Sequence, residues 1–303
     1  MLATVQDRGR LGSQHLGIGV GGPMDAHAFA WGNRLLENCA DAAQIEVCFG
    51  NFHARFAATT WIALTGADLG WRLDGKPLVP WASYRVRPGS ELRAGIASTG
   101  VRGYLAVAGG WQLPKVFGSC ATVMGDRLGG LRGGERVQAG DQIACDSWDN
   151  RSATFGGYQV PEKFIPEFGA AITLRVLPGN QFEQFSQQSR QQFFAQDYQL
   201  SNRCDRMGCR MDGEPMTDVP GSMVSEAVPL GAIQVPSDGL PIVLLNDRQT
   251  IGGYPKLGSV YQVDLPKLAQ ARPGDRVRFV EGDLEEAQRE LREFKQFFAV
   301  PLV

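Results

Sequence analysis

The sequence predicts a mainly β protein with a few helices, organised as two domains. Three observations carry this reading. Most apolar runs are short and end in turn residues, which is the pattern of strands rather than helices. Glycine is abundant, at 38 of 303 residues, and its even spread favours turn-rich chain over long helices. Two short motifs also recur, one copy in each half. Asp7-Arg8-Gly9-Arg10 is echoed by Asp205-Arg206-Met207-Gly208-Cys209-Arg210, and Ala139-Gly140-Asp141-Gln142-Ile143 by Pro273-Gly274-Asp275-Arg276-Val277.

In chain order, the first helix is expected over Ala26–Leu36, where apolar residues recur at helical spacing behind Asp25 as N-cap. Strands follow at Trp61–Thr65, Tyr84–Arg87 and Gly103–Ala108, rich in β-branched and aromatic residues. Asp74-Gly75 marks a hairpin, and Pro88-Gly89, Gly140-Asp141 and Gly274-Asp275 mark tight turns. The stretch 150–169 lacks periodicity and reads as the linker, giving domains 1–155 and 156–303. A strand at Thr173–Leu177 opens the second half, and a second helix is expected over Phe182–Phe194. Ile242–Leu245 has the apolar run of a strand covered on both faces. The last helix, Leu284–Phe298, lines up Leu284, Ala287, Leu291, Phe294 and Phe298 on one face, for core or interface.

Composition excludes several function classes. Hydrophobic residues make up 43% and charged residues 20%, as in soluble globular proteins. A net charge of −2 and the lack of a basic stripe argue against a nucleic-acid partner. No apolar run reaches membrane-spanning length. Asp7, Arg8 and Arg10 stand where a signal peptide needs an apolar core, so a cytoplasmic location is expected. The six cysteines contain no Cys-x-x-Cys pair and read as reduced structural thiols. The three histidines show no ligand spacing, so no metal site is expected. Gly17–Gly22 fits G-x-G-x-x-G, but the polar residues before it cannot form the buried strand of a dinucleotide site. Gly70–Lys76 approaches a P-loop, yet Pro77 replaces the magnesium-binding hydroxyl and a hairpin is the better reading.

The densest chemistry lies in Ser225–Lys256. Behind the Ile242–Leu245 strand come Asp247 and Arg248, then Gly252-Gly253-Tyr254-Pro255-Lys256. An acid, a guanidinium, a phenol and an ammonium thus collect at a strand end, where glycines allow close backbone approach. Lys256, Tyr254, Arg248 and Asp247 are the candidate catalytic residues. A lysine or tyrosine near a reacting amide can transfer protons, and an arginine can hold a carboxylate in bidentate fashion. Gln234 is placed to hydrogen-bond an amide substrate from an adjacent strand. Asp205, Arg206, Asp25, Gln6 and Asp7 are further candidates for substrate binding. Each also has an ordinary reading: Asp205-Arg206 as a surface ion pair, Asp25 as a helix cap, and Gln6-Asp7-Arg8 as a salt-bridged turn. No Ser-His-Asp or Cys-His set is apparent, which disfavours a covalent mechanism.

Thr4–Arg10, Gly22-Pro23-Met24-Asp25, Gly103–Gly110, Gly118-Ser119, Asp205–Gly208 and the Ser225–Lys256 block occur in an order that resembles the biotin-dependent carboxyltransferase family. That family includes the C subunit of 5-oxoprolinase, the allophanate hydrolase subunit 2 group and the carboxyltransferase domain of urea carboxylase. The resemblance covers nearly the whole chain and implies two cyclophilin-like β-barrel domains. It implies the C subunit of a bacterial-type ATP-dependent 5-oxoprolinase, which opens the lactam of 5-oxo-L-proline to L-glutamate. The partners implied are proteins like the A and B subunits of that enzyme. ATP and magnesium would then be used by the complex. Two alternatives follow from the same family. One is carboxyl transfer to a urea-like amide, with biotin arriving on another protein. The other is a regulatory partnership with an inhibitor of a histidine kinase.

Overall fold

The computed structural model describes residues 2–146, 157–169, 171–221 and 223–301. The chain divides into two units, Met1–Leu11 with Gly21–Phe168, and Gly12–Val20 with Gly169–Val303. The expected linker lies outside the described residues over 150–156.

In the first unit the short strands build two main antiparallel sheets, beside a two-stranded ladder of Trp111–Gln112 with Ala144–Cys145. The larger has the order Leu2–Gln6, Gln44–Cys48, Arg102–Val107, Thr60–Gly66, Ala82–Val86. The smaller runs Gly50–Arg55, Glu91–Ile96, Arg72–Leu73, Lys76–Pro77. Val47, Ile62, Leu64 and Leu105 of the first pack with Phe52, Leu92 and Ala94 of the second around Trp71, all buried. Each large apolar side chain among them contributes on the order of 1.5–3 kcal/mol on burial.

Helix Ala26–Leu35 lies on the larger sheet, where the Thr65 hydroxyl donates to Ala28 O at 2.7 Å and Gln44 Nε2 to Phe29 O at 2.6 Å. The central strand Arg102–Val107 is therefore buried at every residue. The expected Asp74-Gly75 hairpin forms, with φ of 51° and 81° at its two turn residues.

The second unit closes a seven-stranded barrel in the order Ile172–Pro178, Lys256–Val260, Ala232–Gln234, Ile242–Leu244, Gly208–Asp212, Asp197–Cys204, Arg276–Glu281. The last strand returns to the first as a parallel pair. Leu174, Leu200, Met211, Ile233, Val243 and Val277 fill the interior. Phe193 stacks on Phe279 at 4.7 Å, and Tyr198 meets Phe279 edge-on at 5.5 Å.

The helix expected over Phe182–Phe194 is divided into a 3-10 turn, Phe182–Gln184, and a helix, Gln187–Ala195. Ser186 breaks it by taking the extended N-cap conformation, its side chain accepting from Ser189 N at 3.2 Å. The C-terminal helix spans Leu284–Phe297, capped by Asp283, whose carboxylate accepts from Glu286 N at 2.9 Å. No residue of this helix is fully buried. Its tether is polar: Arg175 binds Asp264 through Nε and Nη2, both at 2.9 Å, and reaches Glu290 at 2.7 and 2.8 Å.

Candidate functional site

Strand register in the second unit positions the polar block. Gln234 stands opposite both Ile242 and Lys256 on its two neighbouring strands. Directly opposed residues share a face of the sheet, so the Gln234 amide and the Lys256 side chain emerge together. A two-stranded ladder beside them pairs Glu226 with Gly252 and Ala227 with Ile251. Gly252 has no side chain where one would collide: a Cβ there would sit 2.7 Å from Gln234 Nε2 and 3.4 Å from Gln249 Nε2.

Within this cluster Gln234 is 1% exposed, and its Nε2 has no hydrogen-bond partner among the described residues. A buried amide donor left unpaired costs on the order of 1–3 kcal/mol, which marks a place for an acceptor atom. Lys256 Nζ forms an ion pair with Glu226, and its backbone N–H donates to Gln181 Oε1 at 2.6 Å. Gln181 Nε2 in turn donates to Glu226. The Lys256 and Gln181 bonds hold the Glu226 carboxyl below its ordinary range.

Arg248 is nearly buried and donates to Val228 O at 3.0 Å and Leu245 O at 3.2 Å. Among the described residues no carboxylate pairs with it. Burial lowers its pKa, but a guanidinium stays charged at neutral pH, so its charge remains open to an anion. Tyr254 is about half-exposed, at 48%.

The remaining candidates fall differently. Asp205 and Arg206 do not pair with each other. Asp205 Oδ1 accepts from Met207 N at 2.7 Å and Gly208 N at 3.2 Å, a side-chain turn. Arg206 reaches across to Asp247 instead, with Nε–Oδ2 and Nη2–Oδ1 both at 2.9 Å. Both side chains are nearly buried, at 6% and 7% exposure. The expected surface ion pair is thus replaced by a bidentate buried one that ties the loop after Ile242–Leu244 to the 205–208 turn.

The two cysteines flanking that turn, Cys204 and Cys209, are bonded to each other. This corrects the expectation of six reduced thiols. The spacing is not that of a Cys-x-x-Cys pair, but the hairpin register sets the two residues opposite one another, with Cα atoms 4.2 Å apart.

In the first unit Gln6, Asp7 and Asp25 all bond to neighbouring chain. Gln6 Nε2 donates to Thr122 O at 3.1 Å, and its Oε1 accepts from Gly22 N at 3.1 Å. Asp7 accepts from Gly9 N at 2.9 Å, Ser119 Oγ at 2.5 Å and Cys120 N at 2.8 Å. The buried Asp25 caps its helix by accepting from Ala28 N at 2.9 Å. Sequence reasoning missed Glu226 and Gln181. Glu226 is visible in Ser225-Glu226-Ala227 as a lone acid opening the block. Gln181 lies 75 residues before Lys256 and carries no local mark of its role.

No helix among the described residues is long and apolar enough to cross a membrane. Among the same residues no three His, Cys, Asp or Glu side chains gather as metal ligands.

The family model of the carboxyltransferase domain, subdomain A and B, matches residues 16–281. The chain is 35% identical to the C subunit of 5-oxoprolinase from Haemophilus influenzae, over 95% of its own length and 90% of that protein. It is 34% identical to the C subunit of 5-oxoprolinase from Escherichia coli, covering 98% and 94% of the two chains. The Kluyveromyces lactis urea carboxylase superposes with a TM-score of 0.88 at 23% identity, over 98% of this chain and 28% of that longer one, and shows the shared fold. On the extent of these matches, the chain belongs to the carboxyltransferase-domain family of subdomains A and B.

Proposed function

We propose that the chain is the C subunit of an ATP-dependent 5-oxoprolinase, opening 5-oxo-L-proline to L-glutamate with partners like the A and B subunits of such an enzyme. The observation that carries this is the near end-to-end match to two proteins named as the C subunit of 5-oxoprolinase, at 34% and 35% identity. The geometry of the second unit supports it. The substrate has a lactam carbonyl and a carboxylate, and the cluster offers a donor for each. Gln234 Nε2 is buried and unpaired, so a lactam oxygen would satisfy it. Arg248 is a nearly buried cation without a carboxylate partner among the described residues, so the substrate carboxylate would neutralise it.

Opening an unstrained lactam requires activation of an unreactive amide, then attack by water. Lys256 and Arg248 would stabilise the charge that develops on oxygen, usually the largest single catalytic term. The half-exposed Tyr254 would pass a proton between the cluster and solvent. Asp247, with a carboxylate oxygen on each of two Arg206 nitrogens, would fix the loop that carries Arg248. ATP would be the reactant that drives opening, with magnesium as its counter-ion in the complex. The Gly70–Lys76 segment offers them no cradle, because Asp74-Gly75 is a hairpin turn between short strands.

Carboxyl transfer from biotin on another protein is the second reading, since the same Gln234 donor suits a ureido carbonyl. Reconstitution separates the two. The purified chain with its partner subunits should release glutamate from 5-oxoproline only when ATP is present. A folded complex that releases none, but carboxylates urea with a biotinylated carrier, would overturn the proposal.

A further inference from the structure

Lys256 is the first residue of its strand, and its ammonium pairs with a carboxylate from outside the Asp247–Lys256 block. Glu226 supplies the carboxylate paired with Nζ. Gln181 links the two ends of that pair: its Oε1 accepts from Lys256 N at 2.6 Å, and its Nε2 donates to Glu226. Gln181 is 5% exposed, so the amide of this bridge is buried, while the Glu226 carboxylate at its far end is partly open to solvent.

The backbone brings Gln181 there by a close approach. Gly179 N donates to Leu257 O at 3.0 Å. A Cβ on Gly258 would lie 2.3 Å from Leu177 O, so only glycine lets the chain after Pro178 lie on the Lys256–Val260 strand. Among the described residues Glu226 is the charged group paired with Lys256. Gln234 stands opposite Lys256 as a neutral amide, and the Tyr254 phenol and the Arg248 guanidinium belong to the loop leading into it.

We propose that Gln181 and Glu226 are positioning residues for Lys256: Glu226 aims the ammonium, and Gln181 locks the carboxylate to the lysine backbone. The proposal rests on the reading of Lys256 as the cation acting at the substrate oxygen. A carboxylate on one side of Nζ leaves its other N–H groups to point elsewhere, and the unpaired Gln234 amide marks the face on which an acceptor is wanted. The ammonium and the amide would then converge on one oxygen. Losing either positioning residue should leave the substrate bound and the reaction slow, because a misplacement of about 1 Å costs up to a hundredfold in rate.

Two measurements test this. In the isolated chain, carboxyl carbon NMR should find Glu226 titrating below its ordinary value. Lys256→Gln should move that midpoint up, and Gln181→Ala should move it part of the way. In the reconstituted complex, Glu226→Gln should lower kcat roughly 10- to 100-fold with KM within about twofold, and Glu226→Asp should recover part of the loss. A Glu226 midpoint indifferent to Lys256→Gln, or full kcat in Glu226→Gln, would overturn the proposal. A wild-type complex without 5-oxoproline turnover would overturn the oxoprolinase reading alone, and the Glu226 midpoint would then decide the positioning by itself.

Discussion

Replacing Arg206 with glutamine would leave Asp247 buried with its guanidinium partner gone. The pair is bidentate, with two bonds of 2.9 Å, and its side chains are 6% and 7% exposed. Breaking a buried ion pair from one side costs about 3–5 kcal/mol, because a desolvated charge is left uncompensated. An exposed pair would cost no more than about 1 kcal/mol. For a folding unit of this size each kcal/mol lowers the melting temperature by roughly 2–4 °C, so Arg206→Gln should melt roughly 6–20 °C below wild type. Asp247→Asn alone should cost a similar amount. The double variant should cost clearly less than the sum, since the same bidentate bond is lost in both single variants. Urea unfolding followed by circular dichroism on all four proteins gives the coupling directly. Additive single costs, or a loss below about 1 kcal/mol for Arg206→Gln, would refute the claim that this pair anchors the site loop.

Three other outcomes are expected. Gly252→Ala places a Cβ 2.7 Å from Gln234 Nε2; because that atom ends a flexible side chain, stability should fall by no more than about 1 kcal/mol while KM for the substrate rises about tenfold. Asp25→Ala removes the acceptor for Ala28 N and should cost about 1 kcal/mol in urea unfolding. Burial favours the neutral form of Asp264, but its bonds to Arg175 and Lys267 outweigh this and hold its carboxyl low; Arg175 does the same for Glu290. Carboxyls depressed in the folded state add stability that is fully present above their unfolded values near pH 4 and is lost as pH falls through the folded ones. Arg175→Gln should therefore unfold at higher pH than wild type in an acid titration.

Much of the fold was legible because its causes are local. Asp25 before an amphipathic run gave the first long helix to within one residue, and Asp74-Gly75 gave its hairpin. The repeated Gly-Asp motif proves to be one turn built twice. Asp141 N bonds Gln138 O while Asp141 Oδ2 accepts from Gln138 N, and Asp275 does the same with Arg272. The echo between Asp7 and Asp205 is likewise a shared turn, each carboxylate accepting the N–H two residues on.

Most of what the sequence hid depends on contacts across the barrel, and one part on a local cap. Ser186 divides the expected Phe182–Phe194 helix through a cap that competes with helix propensity. Arg206 prefers Asp247, 41 residues away, to its neighbour Asp205. Gln181 joins Lys256 because two glycines let strands approach closely, and no local pattern encodes that. The polar block Asp247–Lys256 was readable as a cluster, but which of its members bond to one another was not.

The most direct test of Lys256 as the cation at the reacting oxygen is glutamate release from 5-oxoproline by the complex reconstituted with Lys256→Ala in this chain. ATP-dependent release is expected with the wild-type chain, and a loss of at least about a hundredfold in kcat with the variant, while the variant chain still folds and assembles. Release at the wild-type rate from the Lys256→Ala complex would contradict this role, and would move the chemistry away from the cluster.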